Sequence, residues 1–162
     1  MKRCMIMASL VLCSGCVEPG PDQLVVNHRD TDVTLIFRAK SYRPASYGMG
    51  CQAPVTPALI PIEDVPGYHV NELKLARVTQ DPETCEERIT LPARTAALIT
   101  SGEACNDTWQ EWQSQPHTQP EFTFLRIESS SGTIEWRGWE VSRALVAHRG
   151  YFSRDTCRLD IT

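Results

Sequence analysis

The seven cysteines are the residues of this chain best suited to chemistry, because a thiol can ligate a metal, form a disulfide or carry a lipid. Cys13 and Cys16 stand three positions apart in "LVLCSGCVEPGPD", at the end of a short apolar run. Tetrahedral zinc would need a second cysteine or histidine pair at ligand spacing, and no such pair follows in the sequence. We therefore expect a different role for these thiols.

The first fifteen residues have the layout of an export signal. Lys2 and Arg3 precede the apolar run "CMIMASLVLC", and small residues follow it. A membrane-spanning helix needs about 20 apolar residues, so this run is too short for a permanent anchor. We expect residues 1–15 to be a signal peptide that is removed on export.

The end of this segment resembles the bacterial lipoprotein signal, in which a cysteine that follows two small residues receives the lipid. Ser14, Gly15 and Cys16 match that pattern, whereas Cys13 stands where leucine is usual. The resemblance implies that Cys16 is lipidated and becomes the mature N-terminus. An ordinary cleaved signal peptide, with Cys16 as a free or paired thiol, is the alternative.

Lipidation would hold the protein on a membrane, since each buried methylene of an acyl chain contributes about 0.8 kcal/mol. Val17 follows the cysteine, in place of the aspartate that commonly retains such lipoproteins in the inner membrane. The resemblance therefore implies an outer-membrane protein that faces the periplasm. Residues 16–23, with two prolines and a glycine, predict a tether.

An even set of cysteines is left once the signal and Cys16 are set aside. These four are widely spaced: Cys51, Cys85, Cys105 and Cys157. In an exported protein this predicts two disulfides, with buried free thiols as the alternative. Four cysteines allow three pairings. We favour Cys85 with Cys105, because a hairpin between "ERITLP" and "TAALIT" would bring them together, which leaves Cys51 to pair with Cys157.

The charge balance excludes some classes of partner. The chain has a formal net charge of −4, which becomes about −6 when the two basic residues of the signal are removed. An acidic protein is poorly suited to nucleic acid or to the face of an anionic bilayer. The length suits one domain, which we place at residues 24–162.

Strand patterns dominate that domain, with β-branched and aromatic runs bounded by Gly, Pro, Asn and Asp. The candidates are "LVVNH", "DVTLIFRAK", "NELKLARVT", "ERITLP", "TAALIT", "FTFLRIE", "TIEWRGWEV" and "TCRLDIT". This order predicts an all-β fold, an antiparallel β-sandwich that could take an immunoglobulin-like form, with a small open barrel as the alternative.

Three local features complete this prediction. The serines and glycine at 129–132 predict a hairpin loop between two strands. The prolines of 41–69 indicate a loop-rich insertion outside the central sheet. The segment 140–150 fits one short helix that ends at Gly150, although the same residues could extend the preceding strand.

No catalytic arrangement is recognisable, and we predict no catalytic residue, metal or cofactor. The histidines are far apart in sequence: His28, His69, His117 and His148. In "NHRDTD", His28, Asp30 and Asp32 alternate and could offer ligands to a hard cation. The glycine and distal glutamate of a calcium loop are absent, so a polar turn between strands is favoured.

Aromatic residues are the strongest indication of a binding surface. Trp109 and Trp112 lie in the polar segment "WQEWQSQPHTQPE", which makes them the predicted partner-binding residues. Trp136 and Trp139 in "WRGW" could stack on a sugar, but packing in the core or at an edge is the simpler interpretation. We interpret the pair Glu86 and Glu87 as solvated charge.

The plan of a lipoprotein signal, a short tether and one small β-domain resembles the periplasmic immunity lipoproteins of type VI secretion, which neutralise a competitor's toxin. Within the domain, the stretch "VVNHRDTDVTLIFRAKSYRP" is the part that resembles these lipoproteins. The resemblance implies stoichiometric binding to a protein, without catalysis. The alternatives are an accessory lipoprotein of an outer-membrane assembly, and a carbohydrate-binding module or hydrolase.

Overall fold

Two β-sheets stacked face to face form the part of the chain that the computed structural model describes, namely residues 21–39, 51, 53–66, 73–101, 105, 114, 122–148 and 155–162. The all-β sandwich predicted from the strand patterns is confirmed. A short helix, α1 (Trp139–Ala144), follows the last strand of the second sheet. No helix within the described ranges has the length and apolar composition needed to cross a bilayer.

The first sheet, sheet A, has six strands. Their spatial order is β10 (Val146–His148), β11 (Thr156–Ile161), β1 (Asp22–Asn27), β7 (Thr95–Ser101), β3 (Ala58–Pro61) and β4 (Lys74–Leu75). All neighbours are antiparallel except β1 and β11, which run parallel from Asp22 beside Thr156 to Asn27 beside Ile161. The first and last strands thus share a sheet, whereas the immunoglobulin constant-type order separates them. The immunoglobulin-like form stays a prediction.

The second sheet, sheet B, is antiparallel throughout. Its order is β5 (Thr79–Gln80), β6 (Glu87–Leu91), β2 (Val33–Ala39), β8 (Phe122–Ser129) and β9 (Gly132–Arg137). The hairpin predicted between "FTFLRIE" and "TIEWRGW" is confirmed, and its loop is tighter than expected because Ser129 and Gly132 already pair. Gly132 has a φ of 136°, a conformation that side chains disfavour.

The core lies between the two inner faces. In β6 alternate residues are buried and exposed, so Ile89 and Leu91 point inward while Arg88 points to solvent. They pack with Leu35 and Phe37 of β2 in one cluster that also includes residues of sheet A. The rings of Phe37 and Phe122 meet edge to face at 6.0 Å.

Strand β1 is buried along its whole length, because sheet A is also covered on its outer face. Leu24 and Val26 pack there against Ile60 and Val65, in a second cluster. Burial on both sides explains why β1 reads as an apolar run without alternation. The strand begins at Asp22, two residues before the domain boundary predicted at residue 24.

The prediction that the insertion at 41–69 lies outside the central sheet was wrong for the four residues of β3. Strand β3 lies between β7 and β4 and so belongs to the interior of sheet A, with Ile60 fully buried. Its prolines are tolerated because Pro57 precedes the strand and Pro61 is its last residue, which leaves the central amides able to pair. Residues 40–50 lie outside the described ranges.

Two further predicted strands are divided. The run 71–79 contains β4 of sheet A and the first residue of β5 of sheet B, so the chain changes sheets within it. The run 133–141 ends as a strand at Arg137, because Gly138 turns the chain with a φ of 53° and α1 begins at once. The predicted helix is therefore confirmed at Trp139–Ala144, but 146–148 form β10 instead of continuing it.

Both disulfides exist, but the favoured pairing was wrong. Cys51 bonds to Cys85, and Cys105 bonds to Cys157, with Cα atoms 5.2 Å and 5.5 Å apart respectively. The reason is that β6 and β7 do not form a hairpin: β6 pairs with β2 in sheet B, and β7 pairs with β1 and β3 in sheet A. The turn between them crosses from one sheet to the other.

Candidate functional site

A cleft of about 260 Å³ opens between the two sheets beside β9, which is the last strand of sheet B among the described residues. One wall is the β8 and β9 hairpin of sheet B, and the other is the end of β11 in sheet A. At the opposite end of β9, Val141 of α1 and Leu145, which follows the helix, pack into the core. The sandwich is therefore open beside the start of β9, and the cleft lies there.

The base of the cleft is apolar. It is formed by side chains of both inner faces: Ile127, Ile134, Trp136, Leu159 and Ile161. Ile134 pairs with Ile127, and Trp136 pairs with Leu125, which places both β9 side chains on the core side of sheet B. Ile134 is nevertheless 57% exposed, whereas Trp136 is half-buried against the core. An apolar ligand side chain would cover Ile134.

The rim of the cleft is polar, and Arg29 spans it. Its Nε and Nη2 donate to the carbonyl of Thr162 at 3.0 Å and 2.8 Å, and its Nη1 donates to Ser131 Oγ at 2.7 Å. Thr162 belongs to the wall of sheet A and Ser131 to the hairpin of sheet B. Arg29 thus links the two walls at one end.

Arg29 is positioned by the connection between β1 and β2. Asn27, fully buried, accepts a hydrogen bond from the Arg29 amide and donates from Nδ2 to the carbonyls of Thr31 and Pro92. The Arg94 amide donates in turn to the Arg29 carbonyl at 3.1 Å. This segment is the polar turn between two strands that the sequence predicts.

Two of the side chains considered as cation ligands in "NHRDTD" have separate partners. Asp32 accepts from the Ala93 amide at 2.9 Å, and His28 Nε2 lies 2.7 Å from Asp160 Oδ1. No three His, Cys, Asp or Glu side chains of the described residues come together in a group that could hold a metal ion. The contact between His28 and Asp160, 132 residues apart, has no signal in the sequence.

Glu87 corrects the interpretation of "EE" as solvated charge, because it is only 4% exposed. Its Oε2 accepts from the Val55 amide at 3.0 Å. Burial raises the pKa of the carboxyl above 4.5, although the hydrogen bonds from Val55 and Gln80 act in the opposite direction. Glu87 thus ties the segment that follows Cys51 to strand β6.

We expect the stability of Glu87→Gln, relative to wild type, to increase as the pH rises above 4.5. The raised pKa means that the folded state holds its proton more tightly than the unfolded chain, so the wild type loses stability as the pH rises through the folded value. Urea unfolding at several pH values measures this difference. Glu83→Gln, at an exposed glutamate, is the matched control. A difference that is constant with pH would contradict the expectation.

The outer face of sheet B is a second candidate surface. Arg38, Arg126 and Arg137 lie over the ring of Phe124, at 5.9 Å, 5.5 Å and 5.2 Å from its centroid. Glutamates pair with these arginines, for example Glu86 with Arg38 at 3.1 Å. The arginines neutralise charge within their own sheet, so the apolar cleft is the better binding site.

The predicted site residues fall partly within the described ranges. Cys16, Trp109 and Trp112 lie outside them. Trp136, considered as a packing residue, does pack against the core but also lines the cleft. The alternation in "TIEWRGW" was the signal that could have joined Ile134 to Trp136 on one face. The contribution of Arg29 and β11 had no such signal, because they meet β9 only in the folded chain.

Comparison of the whole chain with protein-family models, with curated protein sequences and with solved structures found no match.

Proposed function

We propose that this chain is an exported, lipid-anchored protein of the bacterial cell envelope that binds another protein stoichiometrically through the cleft beside β9. The observation that carries the proposal is the composition of that cleft. An apolar base that includes Trp136 and the exposed Ile134, inside a polar rim, is the usual composition of a protein recognition site. The two disulfides agree with an oxidising compartment.

The strand order adds an argument about orientation. The chain enters the sandwich at Asp22, beside Thr156, whereas the cleft is lined by the far end of β11, from Leu159 to Thr162. Six residues of β1 separate the two ends by about 20 Å. A tether from Cys16 to Pro21 also extends to about 20 Å at most. A lipid on Cys16 would therefore attach the protein at the end of the sandwich that is remote from the cleft.

We infer that the biological role is immunity, in which the bound protein is a toxin that reaches the periplasm. The layout of signal, tether and single β-domain supports this role. An accessory role in an outer-membrane assembly would use the same cleft for a resident partner. The two differ in outcome, because only an immunity protein protects cells that are exposed to its partner.

The test is in-cell crosslinking of the tagged full chain, followed by identification of the partner and measurement of its affinity. Trp136→Ala should weaken that affinity at least tenfold, because it removes the largest apolar group of the cleft. Glu83→Ala, in the exposed turn between β5 and β6, should leave it unchanged. Cys16→Ser should move the protein from the membrane fraction to the soluble fraction.

Other outcomes would overturn the proposal. Equal affinity of wild type and Trp136→Ala would exclude the cleft, and would favour the loop that carries Trp109 and Trp112 if their substitution weakened the complex instead. Binding of an oligosaccharide by the purified domain, without any protein partner, would establish the carbohydrate-binding alternative. Expression that fails to protect cells from a captured toxin would exclude immunity.

A further inference from the structure

The bond between Cys51 and Cys85 is the more accessible of the two disulfides. Both of its cysteines are partly exposed. The turn 81–84 that precedes Cys85 is exposed at every residue, and so are Ala53 and Pro54, which follow Cys51. A thiolate has to reach one sulfur atom of a disulfide in order to displace the other. Exposure therefore decides which of the two bonds can exchange with a thiol while the protein stays folded.

The bond between Cys105 and Cys157 is protected by the core. Cys157 is fully buried in β11, where it pairs with Gln23 of β1 on one side and with Ala147 of β10 on the other. Cys105 is 3% exposed, and both cysteines belong to the main hydrophobic cluster. A thiol in solution can reach this bond only when the core opens.

The turn that carries Cys85 is held by hydrogen bonds that do not involve the disulfide. The Asp81 amide donates to the Glu86 carbonyl, and the Cys85 amide donates to the Asp81 carbonyl, both at 2.9 Å. The Asp81 carboxylate accepts from the amides of Glu83 and Thr84 at 2.8 Å and 3.0 Å. Cleavage of the disulfide therefore leaves this turn with its own set of bonds.

The other half of the bond is also attached nearby. Val55, four residues after Cys51, donates its amide to Glu87 Oε2 at 3.0 Å, so cleavage would leave Cys51 within at most about 14 Å of that point. Cys51 Sγ lies 3.6 Å from the carbonyl oxygen of Asp81 and 3.5 Å from that of Pro82. A free Cys51 thiol can donate to either oxygen. The two thiols thus stay at a high effective concentration, which favours closure of the bond again.

We propose that Cys51 and Cys85 form a reversible thiol–disulfide exchange site, whereas the bond between Cys105 and Cys157 is permanent in the folded protein. The reductant is a dithiol. One of its thiolates attacks a sulfur of the exposed bond and forms a mixed disulfide, and the other cysteine leaves as a thiolate that takes up a proton. The second thiol of the reductant then displaces the first cysteine. Two electrons and two protons pass to the cysteines, and the reductant leaves as a disulfide.

The test is reduction of the purified full chain by dithiothreitol without denaturant. Samples taken over time are alkylated with one reagent, then fully reduced in denaturant and alkylated with a second reagent of different mass. Peptide mass spectrometry then gives the rate at which each cysteine becomes free. Cys51 and Cys85 should become free together, at least tenfold faster than Cys105 and Cys157, because only their bond is exposed.

The dependence on urea distinguishes direct attack on the folded protein from attack after unfolding. The free energy of unfolding falls by about 1 to 3 kcal/mol for each molar increase in urea. Exchange at the bond between Cys105 and Cys157 requires opening, so about 1 M urea should accelerate it about fivefold or more. The rate at the bond between Cys51 and Cys85 should stay the same, since this bond needs no such opening.

Reversibility is measured on the partly reduced protein. After removal of dithiothreitol, oxidised glutathione should restore the bond between Cys51 and Cys85 and no other pairing. The variant that combines Cys51→Ser with Cys85→Ser corresponds to the reduced state. It should keep a cooperative urea transition, at a lower midpoint than wild type, because the turn, the contact from Val55 to Glu87 and the buried disulfide all remain.

Three outcomes would overturn the inference. Equal rates of reduction for the two bonds, or faster reduction of the buried one, would show that exposure does not select the bond. Equal acceleration of both by urea would show that the bond between Cys51 and Cys85 also reacts only after unfolding. Loss of the cooperative transition on reduction of this bond alone, or in the double serine variant, would make it a structural bond and not an exchange site.

Discussion

Replacement of both Cys105 and Cys157 by alanine is expected to lower the free energy of unfolding by about 5 kcal/mol. The bond joins residues 52 positions apart, and closure of a loop of that length stabilises by about 4 kcal/mol in the chain-entropy description. Both sulfur atoms lie in the core, where Cys157 is fully buried and Cys105 is 3% exposed. The cavity left by the truncated side chains adds about 1 kcal/mol.

The second disulfide is the matched control for this effect. Cys51 and Cys85 are 34 positions apart and only half-buried, so their replacement should cost about 4 kcal/mol from loop entropy, with a smaller packing loss. Urea denaturation of the wild type and the two double variants measures the difference. A larger loss for the Cys51 and Cys85 pair would show that burial does not distinguish the two bonds.

Asn27→Ala should lower the free energy of unfolding by about 3 kcal/mol. The Asn27 side chain is fully buried at the end of β1, where it both accepts and donates hydrogen bonds. Its loss leaves the Arg29 amide and the carbonyls of Thr31 and Pro92 without this partner. A buried polar group without a partner costs about 1 to 3 kcal/mol. The connection that positions Arg29 across the cleft would also loosen.

Asp30→Ala tests whether this effect belongs to Asn27 itself or to its loop. Asp30 is exposed in the same connection, so its truncation should change the stability by less than about 0.5 kcal/mol. Thermal unfolding of both variants gives the comparison. A loss near zero for Asn27→Ala would mean that water replaces the amide at little cost.

Much of the secondary structure could be predicted from local sequence. Alternation of apolar and polar residues located β6, and the serines and glycine at 129–132 located the hairpin between β8 and β9. These signals are local, because side-chain direction in a strand follows from a two-residue period alone. The even number of cysteines likewise indicated two disulfides without any knowledge of the fold.

The sheet to which each strand belongs was not predictable in this way. Strands β6 and β7 are joined by a short turn, yet they lie in different sheets, and this single fact reverses the favoured disulfide pairing. Which strands pair depends on how much surface is buried and on which edges stay open, and both depend on strands that are far apart in sequence. The local preference of a segment for strand conformation does not indicate which sheet it joins.

The burial of a charged side chain and the assembly of the cleft also depend on the tertiary structure and not on local sequence. Glu86 and Glu87 are indistinguishable as neighbouring glutamates, but the inward period of β6 buries Glu87 against the Val55 amide. The sequence by itself determined that the domain is an all-β sandwich with two disulfides. Only the tertiary structure decided that β9 is the last of the described strands of sheet B, with β11 across from it, because the cleft exists only where long-range pairing brings the two sheets together.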